Sequence, residues 1–403
     1  MHHYNFTCSP FDANGDQEVD LCVVDNWEFS CSFITSPGDS SVMSSDSCIR
    51  EAVVENEYYY VPKERAYGEA VEKGEEELGE VVVGAINDKS SPVGSTMERV
   101  AYNLFGHGEY MRDEAATNLI AAFRVMYQSL PDGRVAHFTA NAAILDSIPD
   151  DAGVVRIVDF DIGEGIQWPP LMEALGRKGT ALRLTSLRTK EECTCSFWKF
   201  ENTKKMLLSQ ATQCGVDLQV EEKYVEEIGI ENAREWVVFN CMVGLPHMGR
   251  RLPRASVEGF LNEAKAMVEG YGVLGDGEAM ESCGGYTSYF DFLHRHYQAV
   301  FESLERSHLV YISEARAAME SLFLGPLMCL VAWLRDWEDM RRSCNFRKET
   351  RLEGRKLRLE SLTEAKEMVR GENPYSVKIE GVRDHEMVLR WKETTLVRVS
   401  TWM

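Results

Sequence analysis

Apolar positions along the chain recur with two periods, and the switch between them divides it. From Ser95 to Leu145 the spacing is helical. Ser95-Thr-Met-Glu98 has the pattern of a capping box, in which a hydroxyl accepts from the third helical amide and a carboxylate returns the bond. It opens one helix face made of Met97, Val100, Ala101, Leu104 and Phe105. A second helix is expected over 114–130 with Leu119, Ala122, Phe123 and Met126 on one side, stopped by Pro131-Asp-Gly133, and a short third helix over 137–145.

Past Gly153 the period shortens. Val154-Val-Arg-Ile-Val158 reads as a buried strand, followed by a glycine-containing loop and a helix over about 169–175. Further strands are expected at 181–187, 216–220 and 236–242 with helices between, which predicts a largely parallel sheet covered on both faces. The cleanest helix is 286–304, whose stripe of Tyr286, Tyr289, Phe290, Leu293, Tyr297, Val300, Phe301 and Leu304 belongs to a core. Another, 315–324, ends at Gly325-Pro326. Strands at 375–379, 387–391 and 396–402 close the chain, the last two as an antiparallel hairpin.

Composition adds a boundary. Of the 403 residues 43 are basic and 65 acidic, a net charge of −22, which argues against sequence-blind DNA binding by this chain alone. Residues 1–95 hold 19 acidic and 5 basic residues, net −14, so the other 308 carry only −8. A largely disordered acidic tail over 1–95 and an ordered part over 96–403 are expected. Within the tail, Glu18-Val-Asp-Leu-Cys-Val-Val-Asp-Asn-Trp-Glu-Phe29 interleaves acids with bulky apolar groups, as disordered activation segments do, or as a solvated linker with one short strand would. A short acidic helix over 69–80 would be weakened by Gly68, Gly74 and Gly79. The 11 cysteines are odd in number and irregularly spaced, so a complete disulfide framework is excluded and a reducing compartment is expected. The start shows no secretory pattern, and the longest apolar run, 322–334, is too short to span a bilayer.

The loop Asp159-Phe-Asp161-Ile-Gly163-Glu-Gly165-Ile-Gln167 is the most informative stretch. Asp161, Gly163 and Gly165 between a buried strand and a helix are candidates for holding a nucleotide-like cofactor at backbone amides. The turn resembles the first motif of S-adenosylmethionine-dependent methyltransferases. The rest of such a site is incomplete: Leu182-Arg-Leu-Thr-Ser-Leu-Arg188 ends without the acid that grips ribose hydroxyls, Gln167 stands where a third glycine would sit, and Asn240-Cys-Met-Val-Gly-Leu-Pro246 lacks an amino-methylating signature. No phosphate loop, nucleophile elbow or zinc helix occurs, and Cys193-Thr-Cys195 and His294-Arg-His296 are spaced too tightly for an ordinary zinc site. Arg341 to Arg358 carries 8 basic and 2 acidic residues, a solvated helical face, an import signal or a nucleic-acid patch.

The order of these segments resembles the plant GRAS family. Val155, Ile157, Val158, Asp159, Asp161, Glu164, Gly165, Gln167 and Trp168 fall in a VHIID-like motif, and 137–145 looks like the helix that precedes it. Val238 to His247 resembles the second leucine-rich region, 286–304 with Phe323-Leu-Gly-Pro326 the PFYRE region, and Trp391, Ser400 and Trp402 a SAW region. Asp-Phe-Asp-Ile-x-Glu-Gly-x-Gln-Trp and Phe-Asn-Cys-Met-x-x-Leu-Pro-His look like the nodulation-signalling-pathway branch, second type.

The resemblance implies a Rossmann-like, methyltransferase-related mostly parallel sheet (151–285) under an α-helical cap (96–150, with 286–334), and a SAW-like antiparallel C-terminal part (335–403). It further implies a nuclear, non-enzymatic transcriptional regulator with no cofactor or metal and no membrane attachment. That regulator would form homo- or heterodimers with other GRAS proteins, meet transcription factors, and reach promoter DNA mainly through a partner. The branch implies nodulation and mycorrhizal signalling and control of strigolactone synthesis genes. Met97, Val100, Ala101, Leu104 and Phe105 are then either an exposed partner interface or packing within the cap. The leucine-rich helices that open such a domain are hard to find before Ser95, and the strand near Gly272-Val-Leu-Gly-Asp-Gly-Glu278 is rich in glycine where a firm apolar strand is expected. The alternative class is a methyltransferase or ligand sensor using the Gly163/Gly165 turn.

Overall fold

The computed structural model describes residues 45–106, 110–188, 198–228, 235–266, 271–279, 283–306, 313–342, 353–371 and 374–403, with side chains from Tyr58 onward. Trp27, Phe29, Phe33, Cys193 and Cys195 lie outside these residues, as does most of the basic stretch.

Helices begin ahead of the expected boundary. α1 (Ser45–Lys73) and α2 (Glu76–Asn87) pair as a hairpin about Gly74, whose φ of +72° reverses the chain. Within residues 45–95 the expectation of a disordered tail is therefore corrected. Glu72, Glu75, Glu76, Glu77 and Glu80 are exposed, while Tyr60, Ala70 and Ile86 are buried on the inner face together with Glu64. Composition registers the acids and misses the few anchors. Gly68 is no breaker: it is buried inside α1 against the aromatic helix, where a Cβ would lie at ordinary contact distance, 3.6 Å from the Thr287 backbone. Glu72 accepts from the Thr287 hydroxyl at 2.5 Å, and Glu64 meets His294 Nε2 at 3.0 Å.

α3 (Thr96–Phe105) starts with the expected capping box: Ser95 N donates to Glu98 Oε2 at 2.6 Å and Glu98 N donates to Ser95 Oγ at 3.4 Å. Met97, Val100, Ala101, Leu104 and Phe105 are all buried within the chain. They are no exposed partner interface, and that expectation is corrected: Phe105 meets Tyr67 of α1 edge-on and also packs near Phe290. The hairpin α1–α2 covers the face that the sequence left bare.

The helix expected over 114–130 is two, α4 (Arg112–Thr117) and α5 (Leu119–Ser129), broken at Asn118. Pro131 both stops α5 and starts α6 (Pro131–Ser147) at its first position, where a missing N–H costs nothing, so α6 is longer than expected.

The sheet has eight strands in the order β3-β2-β1-β4-β5-β8-β7-β6: β1 (Val154–Asp159), β2 (Ala181–Leu187), β3 (Leu218–Lys223), β4 (Glu235–Val243), β5 (Tyr271–Asp276), β6 (Tyr375–Glu380), β7 (Glu386–Trp391) and β8 (Thr394–Trp402). The first five are parallel; β8 returns antiparallel to β5 and heads the meander β8-β7-β6. This is the α/β, Rossmann-like arrangement expected, antiparallel C-terminal hairpin included. Helices α7 (Trp168–Lys178), α8 (Phe200–Cys214) and α9 (Arg254–Ala266) are the crossovers. β1 is buried on both faces: Val155 and Ile157 join the main core, Val158 a second one with Phe160, Phe239, Cys241 and Phe260.

The glycines of β5 have a packing cause. A Cβ at Gly275 would sit 2.3 Å from Met242 Sδ, and one at Gly277 just beyond would overlap the Gly244 carbonyl. β4 and β5 approach too closely there for side chains, so the bareness that weakened the sequence signal is what the pairing needs.

α10 (Tyr286–Glu305) carries the aromatic stripe into the core. α11 (Ser313–Met319) continues as a π-helical turn, Glu320–Leu324, and a 3₁₀ turn, Gly325–Met328, before α12 (Leu330–Arg342). By length and composition Ser313–Arg341 could cross a membrane, yet more than half of its most apolar window is buried inside the fold. α13 (Leu359–Met368) packs against β6 and α6.

Candidate functional site

The chain runs outward through β1, β2 and β3, then returns to place β4 on the other side of β1. That reversal opens a crevice beyond the carboxyl ends of β1 and β4, the place where open α/β sheets hold ligands. The VHIID-like residues converge on it.

Asp159 ends β1 directly opposite Asn240 of β4. Asn240 Nδ2 donates to Asp159 Oδ1 at 2.9 Å and to Gln167 Oε1 at 3.2 Å, while Gln167 Nε2 donates to Asn240 Oδ1 at 3.1 Å. Asn141 of α6 donates through Nδ2 to the Gln167 carbonyl at 2.7 Å. Every one of these side chains is buried. Burial lifts the Asp159 carboxyl to about 7, against the opposing hydrogen bonds from Asn240 and Trp168. Trp168, fully buried, opens α7 directly behind this network.

The glycine turn is used on the protein itself. Gly163 and Gly165 have φ of +51° and +78°. A Cβ at Gly165 would lie 2.9 Å from Thr203 Cγ2 and 3.1 Å from Met206 Cε, so α8 packs where a ligand would approach. Thr203 Oγ1 donates to the Gly163 carbonyl at 2.8 Å. Asp161 accepts from Gly163 N at 3.1 Å and is ion-paired to Arg250 from the loop after β4, whose guanidinium burial holds down to about 10.

Above the turn, His247 Nε2 stands 3.4 Å from Glu164 Oε1 and its ring sits edge-on to Tyr127, His137 and Phe123. Tyr127 and His137 share a hydrogen bond of 3.1 Å, and burial beside His247 keeps His137 well below the ordinary imidazole range. The cap is thus clamped onto the turn by a packed aromatic cluster.

A methyl donor does not fit these residues. Among the described residues its ribose would find no carboxylate at the end of β2, the amides of Gly163 and Gly165 are taken within the turn by Asp161 and the Ile162 carbonyl, and the third-glycine position is filled by a buried, hydrogen-bonded Gln167. Among the described residues no group of three His, Cys, Asp or Glu could hold a metal. His294 is engaged with Glu64 and His296 with the Thr395 carbonyl at 3.1 Å.

Other site residues are placed elsewhere. Trp391 donates through Nε1 to Glu302 at 3.1 Å, Ser400 pairs opposite Glu386, and Trp402 meets His385 edge-on. These SAW-like positions knit the antiparallel end of the sheet and do not reach the crevice. Sequence reasoning missed Thr203, Arg250 and Asn141, which act from other elements and carry no local motif. It also missed Arg251, buried and bonded to Glu278, to Asp336 at 2.6 Å and to the Leu327 carbonyl at 3.0 Å; this knot ties the end of β5 to α12.

The fold agrees with that of a known protein, and the sequence with a known family. The model of the GRAS domain family matches residues 66–403, so the chain belongs to that family; the match starts inside α1, ahead of Ser95. Protein NODULATION SIGNALING PATHWAY 2 of Lotus japonicus is 36% identical over 223 residues, 53% of this chain and 44% of that protein. Its namesake in Medicago truncatula is 31% identical over 298 residues, 70% of this chain and 58% of that protein. The chain thus spans about half the length of these relatives. The crystal structure of SCL7 in Oryza sativa aligns with a TM-score of 0.60 and 20% identity over 80% of this chain and 94% of that one, a likeness of fold alone.

Proposed function

We propose that the chain is a non-enzymatic plant transcriptional regulator of the nucleus that works in complexes with other GRAS proteins and with transcription factors. In this reading a partner supplies much of the promoter contact, and the genes controlled belong to nodulation and mycorrhizal signalling and to strigolactone synthesis. The observation that carries it is the occupied crevice: Gln167, Asn240 and Asp159 satisfy one another, and α8 packs on Gly165, where catalysis would need room. A fold that elsewhere serves catalysis is free to serve as scaffold. Kinship with proteins named for nodulation signalling supports the biological setting. Since α3 is buried, the partner surface on the cap is assigned to the α1–α2 hairpin, where Val61, Leu78 and Val81 cluster in exposed positions, ahead of the lone exposed Val331 of α12.

A mobility-shift assay on promoter duplex tests the reading. The chain alone leaves the duplex unshifted at physiological salt, and addition of a second GRAS protein produces the shift. Val81→Asp abolishes that shift while the far-ultraviolet spectrum is unchanged. A shift by the chain alone, with affinity falling steeply as salt rises, overturns the partner-dependent reading.

A further inference from the structure

The basic stretch singled out in the sequence passes, at Lys356 and Leu357, along the rim of a cleft between α13 and the edge strand β6. The cleft measures about 340 Å³. Leu357, Leu359, Leu362 and Ile379 make its floor, with Leu359 66% exposed, and Lys356, Lys366 and Lys378 stand around it. Among the described residues two carboxylates face these three cations, Asp384, 3.3 Å from Lys356, and Glu380, which feels Lys378 but is itself bound to Arg390. Lysines alone would be an ordinary guard on a sheet edge. Lysines around an apolar floor, in a chain of net charge −22, are a site for an acidic and apolar strand of protein.

We propose that this cleft is the docking site for residues 18–29 of the same chain, so that the acidic–apolar segment is masked until it is displaced. Three observations support that occupant. Residues 1–44 contain seven acidic residues and no Lys or Arg, so their charge is opposite to the rim. Glu18, Asp20, Asp25 and Glu28 alternate with Val19, Leu21, Val23, Val24, Trp27 and Phe29, which matches cations above a floor of leucine and isoleucine. The third is reach. Contacts of Glu72 with Thr287, of Glu64 with His294, and of Gly68 near Phe290 lay α1 antiparallel on α10. The amino end of α1 therefore leaves at the end of α10 where Glu302 holds Trp391 and Lys392. Trp391 pairs with Tyr375 at the start of β6, and the cleft begins at Lys378, about 10 Å along that strand. Tyr60 to Ser45 adds about 22 Å of helix. Residues 30–44 extended span up to about 50 Å.

Zero-length carbodiimide crosslinking of the full chain, read by mass spectrometry of the monomer band, tests the contact. Crosslinks from Glu18, Asp20, Asp25 or Glu28 to Lys356, Lys366 or Lys378 are expected, in excess over those to other surface lysines. Leu359→Ser, and separately Trp27→Ser with Phe29→Ser, keep every amine and carboxylate and are expected to cut the yield at least fivefold. Even scatter over all surface lysines, or yields unmoved by these variants, overturns the proposal. Crosslinks absent from the monomer band and found in a dimer band, between differently isotope-labelled copies, would assign the cleft to a second copy and overturn the intramolecular contact. Crosslinks unaffected by excess duplex DNA are expected; their loss would give the cleft to nucleic acid.

Discussion

Asn240 donates from Nδ2 to Asp159 Oδ1 at 2.9 Å, between two residues paired in register at the reversal of the sheet. The bond crosses the crevice where open α/β sheets hold ligands, and the Asp159 carboxyl is held by burial at about 7 instead of the ordinary 3.8. A raised value means that the folded chain takes up a proton more readily than the unfolded one between about pH 4 and 7. This contribution to stability is full below the unfolded value and is lost as pH rises through 7. Asp159→Asn keeps an acceptor for Asn240 and cannot ionise. Denaturant unfolding is expected to find it equal to the native chain near pH 4 and more stable by on the order of 2 to 4 kcal/mol at pH 8. A deficit independent of pH would contradict this.

Gly165→Ala tests the packing of α8 on the turn. The new methyl meets Thr203 2.9 Å away on a backbone with φ of +78°. A loss of about 1 to 3 kcal/mol is expected by denaturant titration. Gly163→Ala has open space at its Cβ and bears only the backbone cost, about 1 kcal/mol.

Val100→Asp and Leu104→Asp place a carboxylate among fully or almost fully buried neighbours of α1 and α10. Each is expected to cost more than about 4 kcal/mol and to collapse expression, as burial of an unpaired charge does. A variant that stays folded and loses only partner binding would restore the interface that the structure removes.

Arg99, without exposed surface, donates through Nε to both oxygens of Glu320 at 3.1 Å and through Nη1 to the Gly94 carbonyl at 2.9 Å. Burial nonetheless raises the Glu320 carboxyl to about 7, with Arg99 and Arg316 opposing. Arg99→Met leaves that carboxylate with Arg316 alone, 3.7 Å away, at a cost of about 3 kcal/mol at pH 8, and Glu320→Gln in the same chain is expected to recover part of it. Thermal unfolding of the single and double variants measures the difference.

How much of this was readable beforehand follows from what each element announces locally. Strands β1, β2, β4 and the closing hairpin alternate or run apolar over enough residues to be found, and Ser95 and Glu98 state a helix start in four residues. α1 and α2 do not, since Tyr60 and Ile86 anchor them from within a field of acids and their partner face lies on α3 and α10. β5 hid behind glycines whose reason, Met242 and Gly244, is on the neighbouring strand. Asp161, Gly163 and Gly165 were visible as a turn, but the groups that close it come from far along the chain: Thr203 from α8 and Arg250 from beyond β4. A sequence shows a loop able to hold a ligand; only packing shows that the place is taken.

Isothermal calorimetry of the full chain with S-adenosylmethionine bears most directly on whether the crevice is scaffold. The account predicts no heat of binding up to millimolar donor, for the native chain and for Gly163→Ala alike. Binding at micromolar donor that Gly163→Ala weakens would show that the turn still holds a cofactor, and would contradict it.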